Sequence, residues 1–187
     1  MPRLPFPLAV AFLIAFVARP QPANAQVESL EHEIKAAFLY NFVKFVEWPA
    51  SSFPRPDAAV TICLMGPDPF GATLDDLIEN EQVQGRPLAI RRLGRTDATA
   101  GCHVLFVAPA ERGTFEAILR TVDTGRVLTV SDEMEFLAAG GHISFFMESN
   151  RVRFAVNAPV VRQAEFQINS RLMRLARIHG EPDGAQP

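Results

Sequence analysis

The spacing of apolar residues gives its longest helical signal between Ile34 and Pro49. The apolar positions fall into two adjacent ridges at helical spacing: Ile34, Phe38, Phe42 and Phe45, then Leu39, Val43 and Val46. At ~100° per residue, these ridges cover roughly two thirds of the helix circumference. A narrow polar strip holds Tyr40, Lys44 and Glu47. Because a surface helix usually has a narrower apolar stripe, we predict that this helix packs on its own sheet and on a second protein.

Proline and short apolar runs delimit the other predicted elements. Pro49 disfavours helical geometry at Trp48 and is expected to end the first helix there. Four strands are predicted over residues 60–65, 88–93, 103–108 and 127–130, and the first of them is expected to be buried on both faces. Helices are predicted over residues 70–78, 115–122, 158–165 and 171–178.

Several polar residues are expected to cap the helices of the second half. Asp132 is expected to cap a short helix through residues 136–137, with Glu135 in the return position of a capping box. Asn157 and Ser170 are expected to be the N-caps of the last two helices.

A β-hairpin is predicted with Ser149 and Asn150 as its turn, so that the numbers of paired residues sum to 299. On one face the pairs are Ile143 with Val156, Phe145 with Phe154, and Met147 with Val152. On the other face they are Glu148 with Arg151 and Phe146 with Arg153. Apolar pairs on one face and mostly polar pairs on the other are what a half-buried antiparallel ribbon requires.

The order of the elements indicates the fold class. Strands that alternate with helices favour an α/β fold with a mixed, largely parallel central sheet and helices on both faces. The C-terminal hairpin is expected to add an antiparallel edge to this sheet.

The first 25 residues have the layout of a secretory signal peptide. A basic start with Arg3 precedes an apolar run over residues 6–17, and Ala23-Asn24-Ala25 has the small-x-small pattern of a cleavage site. The run is shorter than the ~20 residues that span a bilayer. We therefore predict a cleaved signal peptide (1–25), a single α/β domain (26–179) and a disordered polar tail (180–187).

The predicted mature chain is acidic. Removing 25 of 187 residues leaves 162, and it removes two of 18 basic residues but none of 21 acidic ones, so the net charge becomes −5. An acidic domain without basic runs is a poor candidate for binding nucleic acid or an anionic membrane surface.

Cys63 and Cys102 are the two cysteines of the chain. In an exported protein, two cysteines favour one disulfide. Both residues lie in apolar surroundings, so a pair of buried free thiols is the alternative. A bond that closes this loop would contribute up to about 4 kcal/mol through the entropy of the unfolded chain.

No catalytic or metal-binding pattern is recognisable in the sequence, so we expect neither an enzyme nor a cofactor. The four histidines, at positions 32, 103, 142 and 179, lack zinc-site spacing. There is no phosphate-binding glycine motif and no serine in a nucleophile elbow. Phe146 is unusual because it lies on the polar face of the hairpin, where either a closing helix covers it or it belongs to a docking surface.

An ordered series of short patterns resembles the YfiR family of exported bacterial proteins. The patterns are AAFLYNF (36–42), FVEWP (45–49), Gly66 with DPFG (68–71), GRP (85–87), CHVLF (102–106), LTVSD (128–132), GGHISF (140–145), NRVRF (150–154) with Asn157, and INSRLMRLA (168–176). Together they cover nearly all of the predicted mature chain.

The resemblance implies a periplasmic, non-catalytic negative regulator. Such proteins bind the periplasmic domain of an inner-membrane diguanylate cyclase and hold it inactive, which lowers cyclic-di-GMP and biofilm formation. The resemblance also implies that an outer-membrane OmpA-like lipoprotein can sequester the regulator. The cysteine pair Cys63 and Cys102 matches the family's structural disulfide. Some members have a second pair near the hairpin, which this sequence lacks, so a redox switch would rest on one bond.

Two functions stay open at this stage. A regulator that docks on a membrane-protein ectodomain needs an apolar patch of ~800 Å², exposed or buried in a homodimer. The candidate contact residues are an exposed strip of Tyr40, Lys44, Glu47 and Trp48, and in second place Phe146 and Arg153. The alternative is a periplasmic small-molecule-binding module that uses the C-terminal mouth of the sheet, near residues 67–70 and Asp132.

Overall fold

The computed structural model describes residues 23–180, so the predicted signal peptide up to residue 22 and the tail from residue 181 lie outside the described residues. The helices are α1 (Ala23–Phe45), α2 (Ala72–Ile78), α3 (Phe115–Thr121), α4 (Glu135–Ala138), α5 (Ala158–Val161) and α6 (Ser170–Met173). The strands are β1 (Val46–Glu47), β2 (Val60–Met65), β3 (Gln82–Val83), β4 (Arg86–Leu93), β5 (Val104–Val107), β6 (Leu128–Ser131), β7 (Ile143–Glu148), β8 (Arg151–Asn157), β9 (Gln167–Ile168) and β10 (Arg177–His179). Two 3-10 turns cover Ala50–Ser52 and Pro109–Thr114.

The central sheet has eight strands in the order β10-β8-β7-β6-β5-β2-β4-β3. Its middle strands, β4, β2, β5, β6 and β7, run parallel to one another, and β3 pairs with β4 in the antiparallel sense. The hairpin strands β7 and β8 are antiparallel, and β1 and β9 form a separate two-stranded sheet. The predicted mixed, largely parallel α/β fold is therefore confirmed.

The hairpin has the predicted register throughout. Ile143 faces Val156, Phe145 faces Phe154, and Phe146 faces Arg153. Ser149 and Asn150 both have positive φ, 50° and 59°, as a two-residue turn that matches strand twist requires.

The C-terminal segment differs from its prediction, and the hairpin is not the edge of the sheet. The helix expected over residues 171–178 is only the single turn α6, and the side chain of Asn169, not Ser170, accepts from the Arg171 N–H as its cap. Arg177 then begins β10, which pairs in parallel with β8. This pairing covers backbone groups of β8 that would otherwise be an open sheet edge.

The last predicted cap and the helix after it also differ. Helix α5 ends at Val161, and Asn157 does not cap it with its side chain. The Asn157 amide is buried and donates to the Leu137 carbonyl instead. This bond ties the end of β8 to the end of α4.

Helix α1 covers one face of the sheet together with α2, and α3 and α4 cover the other. Phe38 and Phe42 of α1 pack on Phe145 and Phe154 of the hairpin, with ring centroids 5.2–6.0 Å apart. The prediction that α1 has a wide buried surface is therefore confirmed for the C-terminal half of the helix, which contains Phe38 and Phe42.

The N-terminal half of α1 extends past the sheet. Lys35 pairs with Asp132, which directly follows the C-terminal end of β6. The residues of α1 before Lys35 therefore lie beyond the edge at which the parallel strands end. Val27 is 55% exposed, Leu30 56% and Ile34 38%. Ile34, predicted in a buried ridge, is therefore exposed within this chain. None of the helices in the described part of the chain is long and apolar enough to cross a membrane.

Candidate functional site

Cys63 and Cys102 form a disulfide between neighbouring strands. Cys63 lies in β2, Cys102 lies two residues before the start of β5, and their Cα atoms are 5.8 Å apart. Both residues are buried in the core on the α3 face of the sheet. The pair of free thiols is thereby excluded, and the bond ties two central strands together.

The polar strip of α1 is partly used within the fold. The Tyr40 hydroxyl donates to Glu81 Oε2 at 2.5 Å, and this bond raises the pKa of Tyr40 above its usual value. The Lys44 ammonium lies 5.0 Å from the centroid of the Tyr40 ring. Lys44 and Glu47 are exposed, and Tyr40 is half-buried.

The sequence analysis placed Trp48 in this exposed strip, and that prediction is wrong. It is 8% exposed and packs edge-on against His103, with centroids 5.8 Å apart. The reason is that α1 ends at Phe45, and Val46 and Glu47 pair with β9. Two residues of extended chain then direct the indole inward.

Phe146 is half-buried. A closing helix was one of the two expectations for it, but a guanidinium covers it instead. The Arg177 Cζ atom of β10 lies 4.2 Å from the centroid of the Phe146 ring. Arg177 also pairs with Glu148, and Arg153 lies 3.6 Å from the same carboxylate. This cover was not predicted, because the sequence analysis expected a helix where β10 lies.

The two groups of candidate residues do not form one surface. Phe146 and Arg153 face away from the side of the sheet that carries Phe145 and α1, because alternate residues of a strand point to opposite faces. Tyr40, Lys44 and Glu47 lie on α1 and β1. A single partner would therefore use one group or reach around the sheet.

A third exposed surface was missed by the sequence analysis. We call Val27, Leu30 and Ile34 the N-terminal stripe, since their spacing places them on one face of α1. The i, i+3, i+7 spacing was visible in the sequence. Only the position of the sheet edge shows that no other element within residues 23–180 covers this face.

The mouth of the sheet is occupied by internal ion pairs. Lys35 is buried and pairs with both Glu31 and Asp132, the latter at 2.5 Å. Asp132 does not cap α4, whose N-cap is Met134, because its carboxylate is turned towards this ammonium. Asp68 accepts from the Phe70 N–H and pairs with Arg92. The side chains expected to hold a small ligand are thus used by the fold.

The histidines form no metal site. Within residues 23–180, no group of three or more histidine, cysteine or acidic side chains is placed to bind an ion. His142 is fully buried, and burial lowers its pKa to about 4. Burial also lowers the pKa of His103, with a smaller opposing effect from the Ser52 backbone and a further lowering by the Arg86 charge.

Comparison with known proteins identifies the family. A sequence profile described as YfiR/HmsC-like matches residues 32–177. The chain belongs to the YfiR/HmsC-like family. The family consists of periplasmic proteins that regulate the diguanylate cyclase pathway and are regulatory rather than catalytic. No curated protein matches the chain.

Among solved structures, the chain is similar to a conserved domain protein from Vibrio cholerae O1 biovar El Tor strain N16961. The TM-score is 0.49 at 8% sequence identity, over 79% of this chain. The chain spans 59% of the length of that protein.

Proposed function

We propose that this protein binds the periplasmic domain of an inner-membrane diguanylate cyclase and holds the enzyme inactive, lowering cyclic-di-GMP and biofilm formation. The match to the YfiR/HmsC-like family over residues 32–177 carries this proposal. The disulfide between Cys63 and Cys102 is in keeping with a periplasmic location, since such bonds persist in oxidising compartments.

The N-terminal stripe is the docking surface that we favour. Leu30 and Ile34 are exposed although they are large and apolar, and Phe38, one turn further on, is already part of the aromatic core. An apolar stripe that continues a packed core outward is suited to a partner helix or sheet face. This surface fits the expectation that α1 packs on its own sheet and on a second protein.

The hairpin pair Phe146 and Arg153 is the second candidate surface. Arg151, Arg153 and Arg177 are exposed on or beside it, around the single carboxylate of Glu148. Such a surface favours an acidic partner patch, and its binding would weaken with salt.

The test is binding of the purified protein to the periplasmic domain of a diguanylate cyclase from the same genome, measured by calorimetry. Leu30→Glu and Ile34→Glu are expected to weaken binding at least tenfold, because each places a charge in the apolar contact. Leu175→Glu is the matched control, since Leu175 is 61% exposed but lies outside the stripe. All three variants should keep the wild-type Tm, because the residues are exposed.

The outcomes separate the surfaces from the function. Loss of binding in Phe146→Ala and Arg153→Glu, with the stripe variants unaffected, would move the docking surface to the hairpin. Loss of a dimer in the stripe variants, measured by light scattering, would assign the stripe to a homodimer. Binding to no cyclase domain would contradict the proposed function.

A second partner is proposed from the same family relationship. An outer-membrane OmpA-like lipoprotein would sequester the regulator and release the cyclase. If both partners use the N-terminal stripe, the lipoprotein should displace the cyclase domain in a competition experiment. Simultaneous binding of both would contradict sequestration.

A further inference from the structure

Strand β4 is only partly covered at the outer edge of the central sheet. On that side, β3 pairs with Arg86 and Pro87 alone. The other residues of β4, at positions 88–93, pair with β2 on their inner side. No strand within residues 23–180 pairs with them on their outer side. This part of β4 is therefore an open edge, on which a further strand can pair.

The direction of one hydrogen bond shows which backbone groups point to the open edge. The Leu93 carbonyl accepts from the Gly66 N–H, on the β2 side. Because the backbone groups of successive residues point alternately to the two sides of a strand, every second residue counted back from Leu93 also faces β2. The residues between them, Leu88, Ile90 and Arg92, direct their N–H and C=O groups to the open edge.

The side chains beside this edge differ between the two faces of β4. Leu88 and Ile90 are half-buried and pack on the core beneath α1 and α2. Arg91 lies on the opposite face, is exposed, and donates to the carbonyls of Ala98 and Ala100. In the described part of the chain its guanidinium pairs with no carboxylate. A strand added here would meet apolar side chains on one face and an unneutralised positive charge on the other.

A second copy of this chain fits the edge poorly. A two-fold dimer would pair β4 with itself in the antiparallel sense. Centred on Ile90, this pairing would place Leu93 of the second copy opposite Pro87, where Gln82 already lies. Centred on Arg91, it would place two Arg91 side chains directly opposite each other, which is destabilising. The charge that opposes self-pairing would instead attract a strand with an acidic residue at the same position.

We propose that the open edge of β4 is a strand-addition site for an extended segment of another protein, in which apolar residues alternate with acidic ones. The apolar residues would cover Leu88 and Ile90, and an acidic residue would pair with Arg91 on the other face. Main-chain hydrogen bonds to the outward groups provide the affinity, and the alternate side chains provide the specificity. The edge is separate from the N-terminal stripe and from the hairpin, so the proposal does not depend on the proposed function.

The test uses two end-blocked peptides of about seven residues, a typical strand length. One alternates glutamate with valine, and the other alternates lysine with valine. Each is titrated into the ¹⁵N-labelled protein purified from the periplasmic fraction, and amide hydrogen exchange is followed by NMR. The Leu88, Ile90 and Arg92 amides should exchange fast in the free protein, and the glutamate peptide at saturation should slow them at least about tenfold. The lysine peptide should leave their exchange unchanged.

N-methylated peptides separate strand addition from charge attraction alone. In an added strand, alternate peptide amides point to β4 and the others point to solvent. Methylation of the first set removes the donors to β4, whereas methylation of the second set leaves them in place. We therefore expect one methylated glutamate peptide to lose binding and the other to bind as tightly as the unmethylated peptide. Equal affinities of the two methylated peptides would overturn the proposal.

A charge exchange on β4 tests the specificity. Arg91→Glu should weaken binding of the glutamate peptide roughly tenfold and should allow the lysine peptide to bind, a gain that damage to the fold would not produce. Arg120→Glu is the matched control, because it makes the same charge change at an exposed arginine of α3. Equal effects of the two variants would contradict the proposed ion pair.

Two further outcomes would overturn the proposal. Exchange at the outward amides that stays fast with the glutamate peptide would show an edge that meets only solvent. Protection of these amides in the free protein, together with a dimer in light scattering, would assign the edge to a second copy of the chain.

Discussion

The buried imidazole of His142 makes the stability of this protein dependent on pH. His142 is fully buried, and its pKa is lowered from 6.5 to about 4 by burial. In the unfolded chain it is protonated first as the pH falls, so the unfolded state gains protons before the folded state does. The contribution of neutral His142 is therefore complete above pH 6.5 and is lost as the pH falls towards 4. The loss corresponds to about 3 kcal/mol in the free energy of unfolding.

Urea unfolding at pH 7 and pH 4.5 measures this loss. We expect His142→Gln to be less stable than wild type at pH 7, but to lose much less stability between the two values. His179→Gln is the control, because His179 is exposed in β10 and its replacement should leave the wild-type pH dependence unchanged. A wild-type pH dependence in His142→Gln would contradict this explanation.

The two lysines of the chain lie on the same helix in opposite environments, which gives a second prediction at the residue scale. Lys35 is buried between Glu31 and Asp132, whereas Lys44 is exposed. Lys35→Met leaves two partly buried carboxylates without their cation, so we expect a loss of about 1–3 kcal/mol in urea unfolding. Lys44→Met should change stability by less than about 0.5 kcal/mol.

A second substitution checks the cause of that loss. Asp132→Asn in the Lys35→Met background removes one of the two carboxylates and should restore part of the stability. If the double variant is as unstable as the sum of both single variants, the loss comes from packing and not from the carboxylates.

At the scale of elements, the disulfide joins β2 to β5 in the middle of the sheet. Its loop of 39 residues is worth about 4 kcal/mol by the chain-entropy relation. For a domain of this size, 1 kcal/mol corresponds to roughly 2–4 °C in Tm. We therefore expect the double variant Cys63→Ala/Cys102→Ala to melt about 10 °C lower than wild type in differential scanning calorimetry.

Reductant provides the control for this prediction. Cys63 is fully buried, so reduction requires opening of the fold, and incubation near the melting temperature should bring wild type to the Tm of the double variant. The double variant itself should not respond to reductant. An unchanged Tm in the double variant would mean that the bond adds no stability.

The prediction at the scale of the whole molecule concerns export. The sequence predicts cleavage after Ala25 and a mature chain of 162 residues with net charge −5. Intact-mass measurement of the periplasmic fraction should give a chain that begins at Gln26. Replacement of Ala23 and Ala25 by arginine should block cleavage and leave the longer chain, because the cleavage site requires small residues. A mature chain that begins elsewhere would show that the site is wrong.

The sequence determined the parts of this fold whose signal is local. Strand β2 was predicted at its observed bounds, because a continuous apolar run between turn residues has few alternatives. The hairpin register followed from side-chain alternation and from a two-residue turn, both of which act between neighbours in the chain. The disulfide was predicted from the number of cysteines and the compartment, and it is confirmed.

Only the tertiary structure decided where helices give way to strands and which side chains are covered. The segment after α6 becomes β10, and Val46 and Glu47 leave α1, because each finds a strand partner that is distant in sequence. The burial of Trp48 and the ion pair of Asp132 with Lys35 also depend on contacts between residues that are distant in sequence. The exposure of the N-terminal stripe depends on where the sheet ends. A sequence records the composition of a surface, but non-local packing decides whether that surface meets the protein or the solvent.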